Sequence, residues 1–188
     1  MPVKDKKNKE KKIHGETSID LQVRHEALLE FSESIIGEVD PDGRFLYLSP
    51  SLERVLGFKP EDLLGKNGFD YIHPDDCDSV REIITKLFAD GTGAQAQAFL
   101  RWPHADGGYR LIDFHATCYQ RSDGSPAMAY HSSDITAQQA LLDQLRETES
   151  RFEATANLSD TMIAIVDEQG RYSYLNETCE RVVGFSSE

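Results

Sequence analysis

The chain reads as an α+β domain of five strands, with helices gathered between the second and third strands, followed by a helix and the opening of a second such domain. Three observations lead there. A stretch of nineteen residues occurs twice without a gap, at residues 40–58 (DPDGRFLYLSPSLERVLGF) and 167–185 (DEQGRYSYLNETCERVVGF), offset by 127, with ten positions identical. A period this long is a whole domain plus a linker, not a solenoid repeat. Hairpin-type turn signals stand between β-rich runs at Asp40-Pro41-Asp42-Gly43, Asp106-Gly107-Gly108 and Ser122-Asp123-Gly124-Ser125. The last of those runs is followed by apolar residues at helical spacing that lead straight into the second copy.

Along the chain, residues 1–16 are low-complexity and basic and are expected to be disordered. Residues 17–31 carry Ile19, Leu21, Val23, Ala27, Leu28, Leu29 and Phe31 in a roughly helical pattern, an amphipathic helix. Residues 35–39 and 45–48 are strands around the first turn, where Pro41 presets φ and Gly43 accepts φ > 0. Ser49-Pro50 reads as a helix start, with Ser49 as cap and Pro50 in the first helical position; Asn176 takes the capping place in the repeat. Gly57 ends that helix, and Pro60 begins another short one. His73-Pro74-Asp75-Asp76 opens a longer helix with Val80, Ile83, Ile84, Leu87 and Phe88 on one face, stopped by Gly91 and Gly93. Strands follow at 94–102, 109–120 and 127–133. From residue 135 to 152 the pattern is helical again, with Thr136 and Gln139 at capping-box spacing. The expected domains are thus 17–136, a linker helix over 137–157, and the truncated start of a second domain over 158–188.

The net charge of −13 is uneven: residues 1–12 hold six lysines and two acids, the remainder 14 basic and 31 acidic residues. An acidic body repels phosphate backbones, which argues against nucleic-acid binding by the folded part. No apolar run approaches the ~20 residues of a membrane span, and no apolar stretch follows the N-terminal lysines as in a secretory signal. A cytoplasmic location is expected. Cys77, Cys118 and Cys179 lie far apart, without zinc-ligand spacing, and read as reduced thiols.

The order β-β-α-α-α-β-β-β, with D-x-x-G-R before the second strand, E-R-x-x-G-F at the first helix's end, I-H-P-D-D at 72–76, D-G-G-Y-R at 106–110 and Asp134-Ile135-Thr136 closing the last strand, resembles a PAS domain. The resemblance covers about residues 25–136, and 158–188 resembles the first third of a second PAS domain. It implies a five-stranded antiparallel sheet of order 2-1-5-4-3 with short helices on one face. It also implies that Asp134, Ile135 and Thr136 join the core to an outgoing signalling helix, and that the chain is a sensory module ahead of an output domain such as a histidine kinase or a diguanylate cyclase.

Catalytic and metal chemistry find little purchase. The group His73, Asp75, Asp76 and Cys77 is a helix start, with Pro74 in the first turn and acids over the N-terminal dipole. Flavin–cysteine photochemistry in the family needs a cysteine after Gly-x-Asn, and Gly65-Lys66-Asn67 is followed by Gly68. Haem-binding members use a histidine on the long helix, and residues 80–89 contain none. No cofactor is therefore expected. His115 and Cys118 have opposite parity on one strand, which disfavours a nucleophile pair. The chain itself is not expected to be an enzyme.

Two features stay open between readings. Ile112, Phe114, Ala116 and Cys118 share the strand face toward the helices; with Phe58, Tyr71 and Tyr130 they enclose either a close-packed core or a small-molecule pocket. Leu142, Leu145 and Phe152 lie in a heptad-like seam with two polar interruptions, which belongs either to a monomeric linker or to the coiled coil of a homodimer. The favoured reading is a sensory and dimerisation module. Its alternatives are the regulatory fragment of an enzyme whose catalytic part lies further along the chain, or a ligand-free interaction module.

Overall fold

The computed structural model describes residues 27, 29 and 32–184. The expected basic tail and residues 186–188 lie outside the described residues, as does all of the 17–31 helix except Ala27 and Leu29. The chain divides into two compact units after Thr136.

The first unit begins with the hairpin of β1 (Ile35–Val39) and β2 (Phe45–Leu48). Its turn closes through the Gly43 amide donating to Asp40 O at 2.9 Å, with Gly43 at φ 82°. Asp40 Oδ1 accepts from the Arg44 amide at 2.8 Å. Helix α1 (Ser51–Leu56) follows, then α2 (Pro60–Leu63), a 3-10 turn (Gly68–Asp70) and the long α3 (Pro74–Asp90). Strands β3 (Gln95–Pro103), β4 (Tyr109–Gln120) and β5 (Pro126–Asp134) complete an antiparallel sheet of order β2-β1-β5-β4-β3. This is the order and fold class expected.

Alternation along the strands decides which side is core. Ile112, Phe114, Ala116 and Cys118 of β4 are buried, as are Ile35 and Val39 of β1 and Leu100 of β3. They meet Leu52 and Leu56 of α1, Leu63 of α2, and Val80 and Leu87 of α3 in one cluster. Helix α3 is clipped to β3 at its N-terminus: Arg101 donates to Asp76 through Nε at 2.9 Å, Nη2 at 2.6 Å and its own amide at 2.8 Å.

Ser49 does not cap α1. The N-cap is Pro50, with no side-chain bond, because the Ser49 hydroxyl is committed elsewhere. Its Oγ accepts from the Ile36 amide of β1 at 2.9 Å and lies 2.6 Å from Ser51 Oγ. The side chain lashes the helix entry to the neighbouring strand instead.

The second unit contains most of α4 (Thr136–Leu158), the hairpin of β6 (Ala164–Val166) and β7 (Tyr172–Leu175), and α5 (Glu177–Val183). Asn176 repeats the role of Ser49 at the same offset: its Oδ1 accepts from the Ile163 amide at 3.0 Å. Its Nδ2 donates to Ala156 O at 2.7 Å and Thr161 O at 3.0 Å. So the two copies do share chemistry at this position, but it is a tie to the strand before, not the helix cap expected. The equivalents of the first unit's core residues Val39, Phe45 and Leu56 are Val166, Tyr172 and Val183, all of them exposed.

Candidate functional site

Between the inner sheet face and the helices lies a cavity of about 70 Å³. On the same scale a buried water needs about 10–15 Å³, so there is room for more than one. Every strand of the first unit contributes to the wall: Ile35 and Val39 from β1, Phe45 from β2, Leu100 and Trp102 from β3, Ile112 and Phe114 from β4, Met128 and Tyr130 from β5. The helices add Leu52, Leu63, Val80 and Ile84 among others.

Of the six pocket residues expected from sequence, Ile112, Phe114 and Tyr130 line the cavity, while Phe58, Tyr71 and Cys118 do not. Tyr71 stacks on Trp102 at 5.6 Å between ring centroids, so it backs the wall from behind. Phe58 is only partly buried against the core. Cys118 lies toward the far end of β4, where its amide donates to Ala94 O at 3.0 Å. Trp102, which the sequence analysis did not name among the pocket residues, also lines the cavity. Its parity with Leu100 and Ala98 places it inside.

Tyr130 sits over Gly37, its cross-strand partner. A methyl group at Gly37 would come within 2.3 Å of Tyr130 Cζ and Oη. The Tyr130 ring also meets Phe114 at 5.0 Å. Desolvation pushes its phenol well above the usual pKa.

One strand residue beyond Ile112, β4 is tied to the exit of the domain. The Leu111 amide donates to Thr136 Oγ1 at 2.8 Å, and the Ile135 amide donates to Leu111 O at 2.9 Å. Asp134 Oδ1 accepts from the Thr136 amide at 2.8 Å, capping α4, and Asp134 Oδ2 is 3.7 Å from Arg110 Nε. Thr136 therefore serves β4, and no capping box with Gln139 forms. Arg110 also donates to Asp106 Oδ2 at 2.6 Å. The Gly108 amide, followed by Arg110, holds the Asp106 carboxyl down at about 2. Ile112 is the cross-strand partner of Asp134, so a cavity-wall residue and the helix cap face each other across one ladder.

On α4, Leu142 is 41% and Leu145 54% exposed. Phe152 differs: its ring meets Tyr174 of the hairpin at 5.2 Å, so it is engaged inside the unit.

The other reactive side chains do not converge. His115 and His131 stack at 4.8 Å on the opposite sheet face from Cys118. His73 Nδ1 accepts from the Asp75 amide at 3.3 Å. Among the described residues no group of three His, Cys, Asp or Glu could hold a metal, and no helix is long and apolar enough to cross a membrane.

Comparison with known proteins agrees with this architecture. A family model described as PAS fold matches residues 24–129, and one described as PAS domain matches 150–188. The protein y4lL of Sinorhizobium fredii is 29% identical over 165 residues, which is 87% of this chain and 20% of that protein. Hypoxia-inducible factor 1-alpha of Rattus norvegicus is 28% identical over 124 residues, 63% of this chain and 15% of that protein. The chain thus spans a fifth or less of these relatives. Among solved structures, the PAS domain of an HTR-like protein from Haloarcula marismortui superposes with a TM-score of 0.55 at 20% identity, covering 69% of this chain and 99% of that one. An RNA-binding light-oxygen-voltage receptor gives 0.57 at 19% identity, with 73% and 39% covered. At such identities the structural likeness speaks to fold. With the family match over more than half of its length, the chain belongs to the PAS family, whose members are sensory and signalling modules.

Proposed function

We propose that the chain is a sensory and dimerisation module in which the state of the first unit's cavity is relayed to α4 through β4 and the Asp134–Thr136 joint. The observation that carries this is the adjacency of cavity and joint. Ile112 lines the cavity, while its neighbour Leu111 exchanges two hydrogen bonds with residues 135 and 136. A shift in the wall at Ile112 cannot occur without loading those bonds, because a packed interior transmits displacement rather than absorbing it. Asp134 and Thr136 are the relay residues, and Ile135 joins them through its backbone.

Two copies pair through Leu142 and Leu145, and rotation or register shift of the paired helices passes the signal on. The exposure of Leu142 and Leu145, three residues apart on one helix face, supports this reading. Replacing both with aspartate is expected to give a monomer in sedimentation equilibrium. A dimer unchanged by the double substitution would refute the seam. The output lies in another part of the parent protein, a reading supported by the small share of y4lL that the chain spans. A histidine kinase or diguanylate cyclase would suit the relay. The module works in the cytoplasm, and its acidic body does not bind nucleic acid.

A further inference from the structure

We propose that His104 is a proton-operated positioning residue for the exit joint: its protonation draws Asp106 away from Arg110 and turns Arg110 toward Asp134. This rests on the relay reading above and adds a second input to the same joint, the pH around it.

The two states follow from one nitrogen with two neighbours. His104 opens the turn between β3 and β4, where its amide donates to Gly108 O at 2.8 Å and its carbonyl accepts from the Gly107 amide at 2.9 Å. Those bonds hold the backbone on both sides of Asp106. His104 Nδ1 then stands 3.1 Å from the Asp106 amide nitrogen and 2.9 Å from Asp106 Oδ1. A neutral ring that accepts the amide through Nδ1 meets the carboxylate oxygen lone pair to lone pair. The imidazolium donates from both nitrogens, so it must give up the amide and serve the carboxylate. Histidine is the side chain whose charge ordinarily changes between about pH 5 and 8.

From Asp106 the charge runs to the joint. Asp106 Oδ2 accepts from Arg110 Nη2 at 2.6 Å, whereas Arg110 Nε is 3.7 Å from Asp134 Oδ2. Arg110 is thus shared unequally between two carboxylates. An imidazolium on Asp106 offsets the charge that holds Arg110 and repels the guanidinium, and both effects favour Asp134. Asp134 Oδ1 caps the Thr136 amide, so a closer cation on Oδ2 re-aims the start of α4. The side chains of His104, Arg110 and Asp134 are 22%, 26% and 26% exposed, and Asp106 is half exposed. The first three are therefore less screened than an open surface cluster, while Asp106 keeps the pair within reach of solvent protons.

The neighbouring elements bring one further titrating group. Across the Tyr109 ring, at 4.8 Å, stands His73 at the start of α3, itself 3.6 Å from Asp75. The end of α1 reaches the turn through Leu56 O, which accepts from the Ala105 amide, and through Gly57, and both are uncharged.

The test follows the histidine rings, the Arg110 Nε–H and the Thr136 amide by NMR between about pH 8 and 5, a window above the ordinary carboxyl range. Arg110 and Thr136 are expected to shift with the His104 ring and to share its midpoint. His104→Asn keeps an acceptor for the Asp106 amide but cannot titrate, so it should abolish that shift and leave Thr136 at its high-pH position. Asp106→Asn keeps an acceptor for the Gly108 amide but drops the charge that holds Arg110. It should put Thr136 at the wild type's low-pH position throughout. His73→Asn, which retains an acceptor at the start of α3, should leave the shift intact. If a variant does not fold, the wild-type midpoints decide alone. A His104 ring that does not titrate in this window, a Thr136 amide that stays still or follows another histidine, or a shift that survives His104→Asn would overturn the proposal. A Thr136 shift with no response in residues 137–145 would leave the proton switch standing and remove the onward relay. Failure of the switch would leave the cavity relay in place, because the tests of that relay need no change of pH.

Discussion

Substituting Gly37 by alanine sets two effects of opposite sign against each other. Gly37 is mid-strand in β1 and is not one of the positive-φ glycines, so its backbone accepts alanine without strain. Propensity alone then predicts a gain of about 0.5–1 kcal/mol, since glycine in a strand interior loses more entropy on folding. Packing predicts the reverse. The new methyl would stand 2.3 Å from Tyr130 Cζ and Oη and must displace the ring. Phe114 borders that ring at 5.0 Å, and the open side is the cavity that Tyr130 lines. Overpacking of this kind costs about 1–3 kcal/mol. Because the clash falls on the far end of a side chain, the ring yields before the backbone does, but Phe114 limits how far it can move, and the cost sits near the middle of that range, about 1.5–2.5 kcal/mol. The balance is a net loss of about 0.5–2 kcal/mol, read as a drop in Tm at roughly 4–8 °C per kcal/mol for a domain of this size. The same change in a Tyr130→Ala background removes the clash and keeps the entropy gain, so there Gly37→Ala should stabilise. A neutral or stabilising Gly37→Ala in the wild type, or equal effects in both backgrounds, would refute the packing argument.

Two further predictions concern the ties outside the cavity. Hydrogen bonds from Arg101 hold the Asp76 carboxyl below its ordinary range. The stability this contributes is complete above the unfolded-state value of about 3.9 and is lost as pH falls through the lower folded value. Asp76→Asn should therefore lower the urea midpoint at neutral pH and flatten its fall below about pH 4; an unchanged acid limb would contradict the clip. Asn176→Ala removes a fully buried side chain that serves Ile163, Ala156 and Thr161, leaving buried groups unpaired at about 1–3 kcal/mol each. Limited proteolysis should then cut residues 159–176 faster while the first unit stays protected, and equal cleavage of wild type and variant would argue against that role.

Much of this fold was legible because it is written in local signals. Strand parity placed Ile112, Phe114, Ala116 and Cys118 on the buried face, and glycine-bearing turns fixed the hairpins. What escaped were side chains whose partners are distant in sequence. Ser49 and Asn176 look like helix caps because serine and asparagine ahead of a helix usually are; only the strand beside them reveals the tie to Ile36 and Ile163. Thr136 has capping-box spacing but bonds to Leu111, 25 residues earlier. Asp76 could be placed over a helix dipole but not against Arg101. The cavity was half legible for the same reason. Ile112 and Phe114 follow from parity on β4, and Trp102 shares the parity of the buried Ala98 and Leu100 on β3, whereas the place of Tyr71 behind the wall depends on how the segment before α3 closes on β3.

The relay from cavity to helix is tested most directly by native-state hydrogen exchange at Leu111, Ile135 and Thr136. Ile112→Val and Ile84→Val each remove one methylene from the cavity wall, typically costing about 0.5–1.5 kcal/mol. Only Ile112 lies on the strand that holds the joint. The account predicts that Ile112→Val speeds exchange at these three amides and into the first turns of α4 beyond its effect on global stability, that Ile84→Val does not, and that Asp134→Ala abolishes the difference. Equal responses to the two wall substitutions would contradict it.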